Sequence, residues 1–228
     1  MKRREVLWLV VWSAVIGCGS GPEKVSGEPP LPKAPALAQA DNEIQLTAGA
    51  EGAVPNVFQV KFETTKGDFV IEVHRDWAPV GADHFHELVE AGFFDDCKFF
   101  RNIKGFMVQF GINGDPEVQA KWRDKTIQDD PVKKKNLRGF VTYAKTGRPN
   151  SRSTQLFINY GDNSRLDADR FAPFGEIITG MDVVEKLYAG YAGEPSDHQP
   201  EIQTQGNKFL DANYPKLDGI KKATFVKK

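Results

Sequence analysis

Phe99-Phe100-Arg101-Asn102-Ile103-Lys104-Gly105-Phe106-Met107-Val108-Gln109-Phe110-Gly111 is the stretch on which the reading of this chain turns. Its residues 99–103 and 106–110 are two short runs rich in Phe, Ile and Val, separated by Lys104-Gly105 and stopped by Gly111. Short runs of aromatic and β-branched residues bounded by glycine read as strands. Two polar side chains, Arg101 and Gln109, sit inside them. Taken singly, an arginine in a strand reads as a surface residue, since Arg is rarely buried, and Phe106 and Met107 read as plain core.

The neighbouring sequence extends the strand pattern. Upstream, Val57-Phe58-Gln59-Val60-Lys61-Phe62-Glu63-Thr64 alternates apolar and polar residues, Lys66-Gly67-Asp68 makes a turn, and Phe69-Val70-Ile71-Glu72-Val73-His74 is a second strand. The pair reads as a hairpin. Pro79 then opens a helix over 81–91, with Phe85, Leu88 and Val89 on one stripe and Gly92 as its stop. Downstream, short strands are expected at 140–144, 155–159, 173–178 and 223–226, with a second helix over 181–188. Many short strands and only two substantial helices predict a mainly β fold: a closed eight-stranded antiparallel β-barrel with two capping helices, formed by residues 57–228.

The chain has 228 residues, 40% hydrophobic and with 16 Phe, enough for one domain with a sizeable core. A net charge of -1 with no strongly basic region gives nucleic-acid binding no electrostatic footprint. The run Lys133-Lys134-Lys135 reads as a solvated turn. Cys18 and Cys97 are the only cysteines, and Cys18 falls in a targeting segment, so the mature domain has no internal disulfide. No cluster of Cys and His with zinc spacing is present, and neither metal nor cofactor is expected. His84 and His86, two apart on the expected helix, point about 200° from each other and cannot chelate one ion.

The first segment reads as an address. Lys2, Arg3 and Arg4 precede an apolar run from Val6 to Ile16, interrupted only by Ser13. That run is short of the ~20 residues a spanning helix needs, but it fits the apolar part of a secretory signal. It ends in Val15-Ile16-Gly17-Cys18, which resembles a bacterial lipobox. The resemblance implies that Cys18 is lipidated and becomes the first residue of the exported protein. Residues 19–56, with Pro29, Pro30, Pro32 and Pro35, have no periodicity and read as a disordered linker. A flexible chain of that length spans roughly 35 Å. The expected location is the cell envelope, with the domain lipid-anchored and facing the periplasm. Gly19 in place of an acidic residue tilts the choice of membrane slightly to the outer one.

Phe99 to Gly111 resembles the core motif of the cyclophilin-type peptidyl-prolyl cis-trans isomerases. Two further blocks are similar to the same family and occur in its order: Gln155-Leu156-Phe157-Ile158-Asn159, and Leu166-Asp167 followed by Phe171-Ala172-Pro173-Phe174-Gly175. The resemblance runs from about Val57 to Val226. It implies a proline-directed isomerase that assists the folding of exported proteins, a monomer whose partners are Pro-containing polypeptides. Arg101 is then the catalytic residue, and Phe106, Met107, Gln109, Ala144, Lys145, Gln155, Phe157, Leu166 and Phe171 bind substrate. Phe100 stands where the family has His, Arg165 where many members have Trp, and Phe171 where many have His. The Trp commonly contributes to binding the inhibitor cyclosporin, so Arg165 implies altered inhibitor binding. Residues 199–217 are longer than the connection in compact members, and their path is open.

These residue types suit rotation about an X-Pro bond. Amide resonance sets a barrier of about 18–20 kcal/mol, and the free reaction takes tens of seconds or more. No bond is made or broken, so neither nucleophile nor metal is needed. As the amide twists, the prolyl nitrogen regains its lone pair and accepts a hydrogen bond better. A rigid cation aimed at it therefore stabilises mainly the transition state. A barrel that holds proline segments without turnover, or an envelope scaffold, would share the groove but has little use for Arg101.

Overall fold

The computed structural model describes residues 54–227; the signal segment, Cys18 and residues 19–53 of the expected linker lie outside them. The expected hairpin forms from β1 (Val57–Thr64) and β2 (Gly67–His74), paired antiparallel from Val57 opposite His74 to Thr64 opposite Gly67. Its period-2 pattern turns Phe58, Val60, Phe62, Phe69, Ile71 and Val73 inward. Against that face packs α1 (Pro79–Glu90), through Phe85 and Leu88. Phe62 stacks on Phe69 at 5.0 Å, and Phe85 lies 5.1 Å from Phe174 and 5.4 Å from Phe94. Most of the buried Phe residues thus form one aromatic core.

The remaining strands are β3 (Arg101–Ile103), β4 (Met107–Phe110), β5 (Phe140–Tyr143), β6 (Leu156–Asn159), β7 (Pro173–Thr179) and β8 (Ile220–Phe225). With β1 and β2 they make one eight-stranded antiparallel sheet in the order β3-β4-β6-β5-β7-β2-β1-β8. The expectation of a closed barrel is corrected here: the sheet is an open half-barrel. Its edges β3 and β8 form no ladder with each other among the described residues; around the Lys98–Gly219 bridge, backbone hydrogen bonds join residues 96–99, just before β3, to 218–220 at the start of β8. Beyond that junction, the free edge of β3 bonds to another segment. The Asn102 backbone N–H donates to the Ala192 carbonyl at 2.9 Å, and its side-chain amide donates to the carbonyls of Leu187 and Tyr188 at 3.0 and 3.3 Å.

The two expected capping helices are also too few. The second is the short α3 (Met181–Glu185), and the described residues hold three more: α2 (Pro116–Trp122), α4 (Gln199–Gln205) and α5 (Asn207–Asn213). Pro116 opens α2 and the Asp115 side chain accepts from the Glu117 N–H at 2.8 Å, an ordinary N-cap. Gly206 separates α4 from α5 at φ +59, where a Cβ would run into the Gly114 carbonyl; only glycine fits. The Asn207 N–H donates to that same carbonyl at 2.9 Å. Ile202, Leu210, Tyr214 and Leu217 of this segment close over Phe100 and Ile112 as a second, smaller core.

Candidate active site

Sheet register assembles the site. In β3 and β4, Arg101 pairs directly opposite Gln109, and Gln109 pairs opposite Phe157 in β6. Opposed residues of an antiparallel pair share a face, so guanidinium, amide and aromatic ring stand in a row across three strands. Met107, two residues before Gln109, joins that face. The bend after β4 depends on Gly111, at φ +98, because a Cβ there would strike the Thr154 carbonyl. Thr154 Oγ1 donates to the Gly111 carbonyl at 2.8 Å and brings Gln155 beside Gln109.

The row floors an open groove of about 510 Å³. All ten residues expected to act on substrate line it: Arg101, Phe106, Met107, Gln109, Ala144, Lys145, Gln155, Phe157, Leu166 and Phe171. One end is apolar, with the Phe171 ring edge-on to Phe157 at 5.8 Å. Behind this wall lies a polar network around Asn136, which is fully buried. Its amide donates to Asp167 Oδ1 at 2.7 Å and to the Phe171 carbonyl at 2.8 Å, and its oxygen accepts from Thr142 Oγ1 at 2.8 Å. Asn163 donates to the Phe106 carbonyl at 2.8 Å. The aromatic wall is thereby pinned by its backbone, and nothing local in the sequence marks those asparagines.

The other side is polar. Arg101 Nη1 donates to Gln109 Oε1 at 3.3 Å, Gln109 Nε2 to Gln155 Oε1 at 2.7 Å, and Gln155 Nε2 to Gln199 Oε1 at 2.9 Å. Arg101 is half-buried; burial pulls its guanidinium below the ordinary value, and the charge of Asp197 acts against that. The Ala144 N–H donates to the Gln155 carbonyl at 2.8 Å. Lys145 Nζ sits 3.7 Å from Asp129 and 5.4 Å from the centre of the Phe171 ring. Arg165 lies over the Phe106 ring at 4.6 Å. Trp122 packs in α2 at 6.2 Å from Phe93.

Sequence reasoning missed a further set of lining residues: Arg123, Asp124 and Thr126 after α2, Ser151 and Ser153 before β6, and Ser196, Gln199 and Gln203 from the long connection. Asp115-Pro116-Glu117 and the prolines at 195 and 200 are the helix-start signals that mark two of these segments. Cys97 is buried and free, and burial drives its thiol pKa up, so it is an inert core residue. His84 is buried between Trp122 and Tyr143, while His86 packs on Phe58 and Phe225, so the two point apart as their spacing requires. Outside the groove, cross-strand register brings Glu176 of β7 beside Glu72 and His74 of β2, with ligand atoms within 4.8 Å of one another.

Residues 59–207 match the model of the cyclophilin type peptidyl-prolyl cis-trans isomerase family. The chain is 34% identical to peptidyl-prolyl cis-trans isomerase B of Escherichia coli over 148 residues, 61% of this chain and 90% of that protein. It is also 34% identical to a peptidyl-prolyl cis-trans isomerase of Acinetobacter baylyi over 138 residues, 56% of this chain and 70% of that protein. A cyclophilin type isomerase of Cryptosporidium parvum, solved in the presence of the dipeptide Ala-Pro, shares the fold with a TM-score of 0.57 at 23% identity, covering 75% of this chain and 99% of that one. With its fold, its groove and these relatives in agreement, the chain belongs to the cyclophilin-type peptidyl-prolyl cis-trans isomerases.

Proposed function

We propose that this isomerase works through Arg101 on Pro-containing segments of exported proteins, from a lipid anchor at Cys18. The observation that carries the catalytic part is the row Arg101–Gln109–Phe157 set by strand register. Phe106, Met107, Phe157, Leu166 and Phe171 hold the proline ring, while the segment before it turns. Gln109 orients Arg101 through the 3.3 Å hydrogen bond, and the guanidinium donates to the prolyl nitrogen as the amide twists. In a partly desolvated groove that donation is worth more than in water, and it strengthens only as the nitrogen becomes pyramidal. Lys145, Gln155 and the Ala144 carbonyl meet the peptide backbone.

A protease-coupled assay on an X-Pro peptide tests this. Arg101→Ala should lower kcat/KM by about 10²- to 10³-fold, as removal of one aimed donor does elsewhere, with an unchanged circular dichroism spectrum. A folded variant that turns over like the parent would leave only a groove that holds proline segments. Support for the anchor comes from the charged start, the apolar run and Val15-Ile16-Gly17-Cys18, followed by a linker long enough to hold a domain off a membrane. Fractionation of cells carrying Cys18→Ser should find the protein released from the membrane pellet, since several acyl chains anchor firmly and none does not. Retention equal to the parent's would instead indicate an uncleaved apolar anchor.

A further inference from the structure

The connection between α3 and β8 is not a passive loop. After the turn of Ala192, a 3-10 segment (Glu194–His198) and α4 run along the groove, and Ser196, Gln199 and Gln203 form part of its wall. Gln199 and Gln203 are four apart and share one face of α4. Ile202, between them, is buried in the second core with Leu210 and Tyr214. Gly206 and Asn207 fasten the end of α4 to Gly114. Gln199 is therefore held by a packed element.

Its side chain ends a directional chain of hydrogen bonds. A guanidinium has only donors, so Gln109 must offer Oε1 to Arg101 and point Nε2 away. Gln155 must then offer Oε1 to Gln109 and point its own Nε2 onward. That last donor is received by Gln199 Oε1 at 2.9 Å. Each amide has one accepting and one donating end, so the donor-only guanidinium sets the orientation of each amide in turn, out to Gln199. Without an acceptor at 199, the Gln155 amide is free to turn. Once turned, it sets an NH₂ against the Gln109 NH₂ and weakens the hold on Arg101.

We propose that Gln199 is a positioning residue for Arg101, acting through Gln155 and Gln109, so that the connection completes the active site. This rests on the reading of Arg101 as the group that stabilises the twisted amide. The test uses the full-length chain and four variants: Gln199→Leu, Gln199→Glu, Gln155→Leu and the double leucine variant. Glutamate keeps the acceptor and leucine removes it. Gln199→Leu should lower kcat/KM about 3- to 10-fold, in kcat more than in KM, the scale of one oriented hydrogen bond. Gln199→Glu should stay within about twofold of the parent, and Gln199→Leu should add nothing once Gln155 is Leu. The Arg101 Nε–H signal in a ¹⁵N spectrum should move in Gln199→Leu and hold its place in Gln199→Glu. That signal reads positioning without turnover: a parental rate in Arg101→Ala would refute the chemistry assigned to Arg101 and leave the positioning result standing. An unmoved signal in Gln199→Leu overturns the proposal. So does equal loss in the Leu and Glu variants, or the same fold-loss with Gln155 already removed.

Discussion

Arg152→Met is the substitution that best measures what holds the back of the groove. Arg152 is 2% exposed, one of the largest fully buried side chains. Its Nη2 donates to Asp130 Oδ2 at 3.0 Å and to the Gln128 carbonyl, and the guanidinium lies 5.7 Å from the Tyr143 ring centre. Asp130, itself buried, also accepts the N–H groups of Val80 and Gly81 at 3.0 and 2.9 Å. It thus caps the start of α1, whose own N-cap residue, Ala78, has no side chain to do so. Methionine preserves much of the volume but strands the Asp130 charge in the interior. Removing one partner of a buried pair costs about 3–5 kcal/mol. The α1 amides still stabilise Asp130, which places the expected loss near 3 kcal/mol. At roughly 3 °C per kcal/mol for a domain of this size, the midpoint of thermal unfolding should drop by about 10 °C. Adding Asp130→Asn removes the orphaned charge, keeps one of the two acceptors for α1, and should recover about half of the drop. Calorimetry of parent, single and double variants at pH 7 provides the numbers. A single variant melting within about 2 °C of the parent would refute the argument, as would a double variant no better than the single.

Two further expectations follow from the geometry. Burial pulls the His84 imidazole below its ordinary value, with Glu87 opposing, so the folded protein favours the neutral ring. The unfolded chain takes up that proton below pH ~6.5; stability from this residue is therefore complete above that pH and is lost as pH falls toward the lower folded value. Melting temperature should decline from pH 7 to pH 5, and His84→Gln should flatten the decline; an unchanged slope would assign it elsewhere. Arg165 over Phe106 replaces a flat indole with a long chain that must be ordered or displaced. Cyclosporin should inhibit poorly while turnover is retained, and Arg165→Trp should tighten inhibition by about tenfold per 1.4 kcal/mol regained; nanomolar inhibition of the parent would sink the idea.

The legible parts of this molecule are those encoded within a few residues. The β1–β2 hairpin could be read because its alternation has period 2 and its turn carries glycine. The site was legible through the resemblance of 99–111 and 155–159 to the family's motifs, and both lie close in space because 99–111 is itself a hairpin, β3 and β4, with 155–159 on the strand beside it. Helices α2, α4 and α5 have 7 residues each, too few for an amphipathic period to stand out. The Asp130 cap on α1 and the Asn136 network are bonds across 49 and 35 residues of chain, for which no local signal exists. Barrel closure was misjudged for the same reason: it depends on contacts of β3 with backbone far away in sequence.

That edge ties together the open sheet, the long connection and Phe100. The segment from Leu187 to Ala192 bonds to β3 at Asn102, and β3 forms no ladder with β8 among the described residues, so the half-barrel is open. Occupying the edge also delivers the following residues, 194–205, to the groove wall beside Arg101. Once there, their apolar face needs a partner, and the sequence supplies one in Phe100, at the position where the family has His. Phe100 is 1% exposed in the second core, against Ile202, Leu210 and Tyr214. A histidine there would enter an apolar cluster at a desolvation cost, whereas a phenylalanine contributes about 1.5–3 kcal/mol of burial. The open sheet, the long connection and Phe100 are therefore one structural solution, and Arg101 sits at the point where its parts meet.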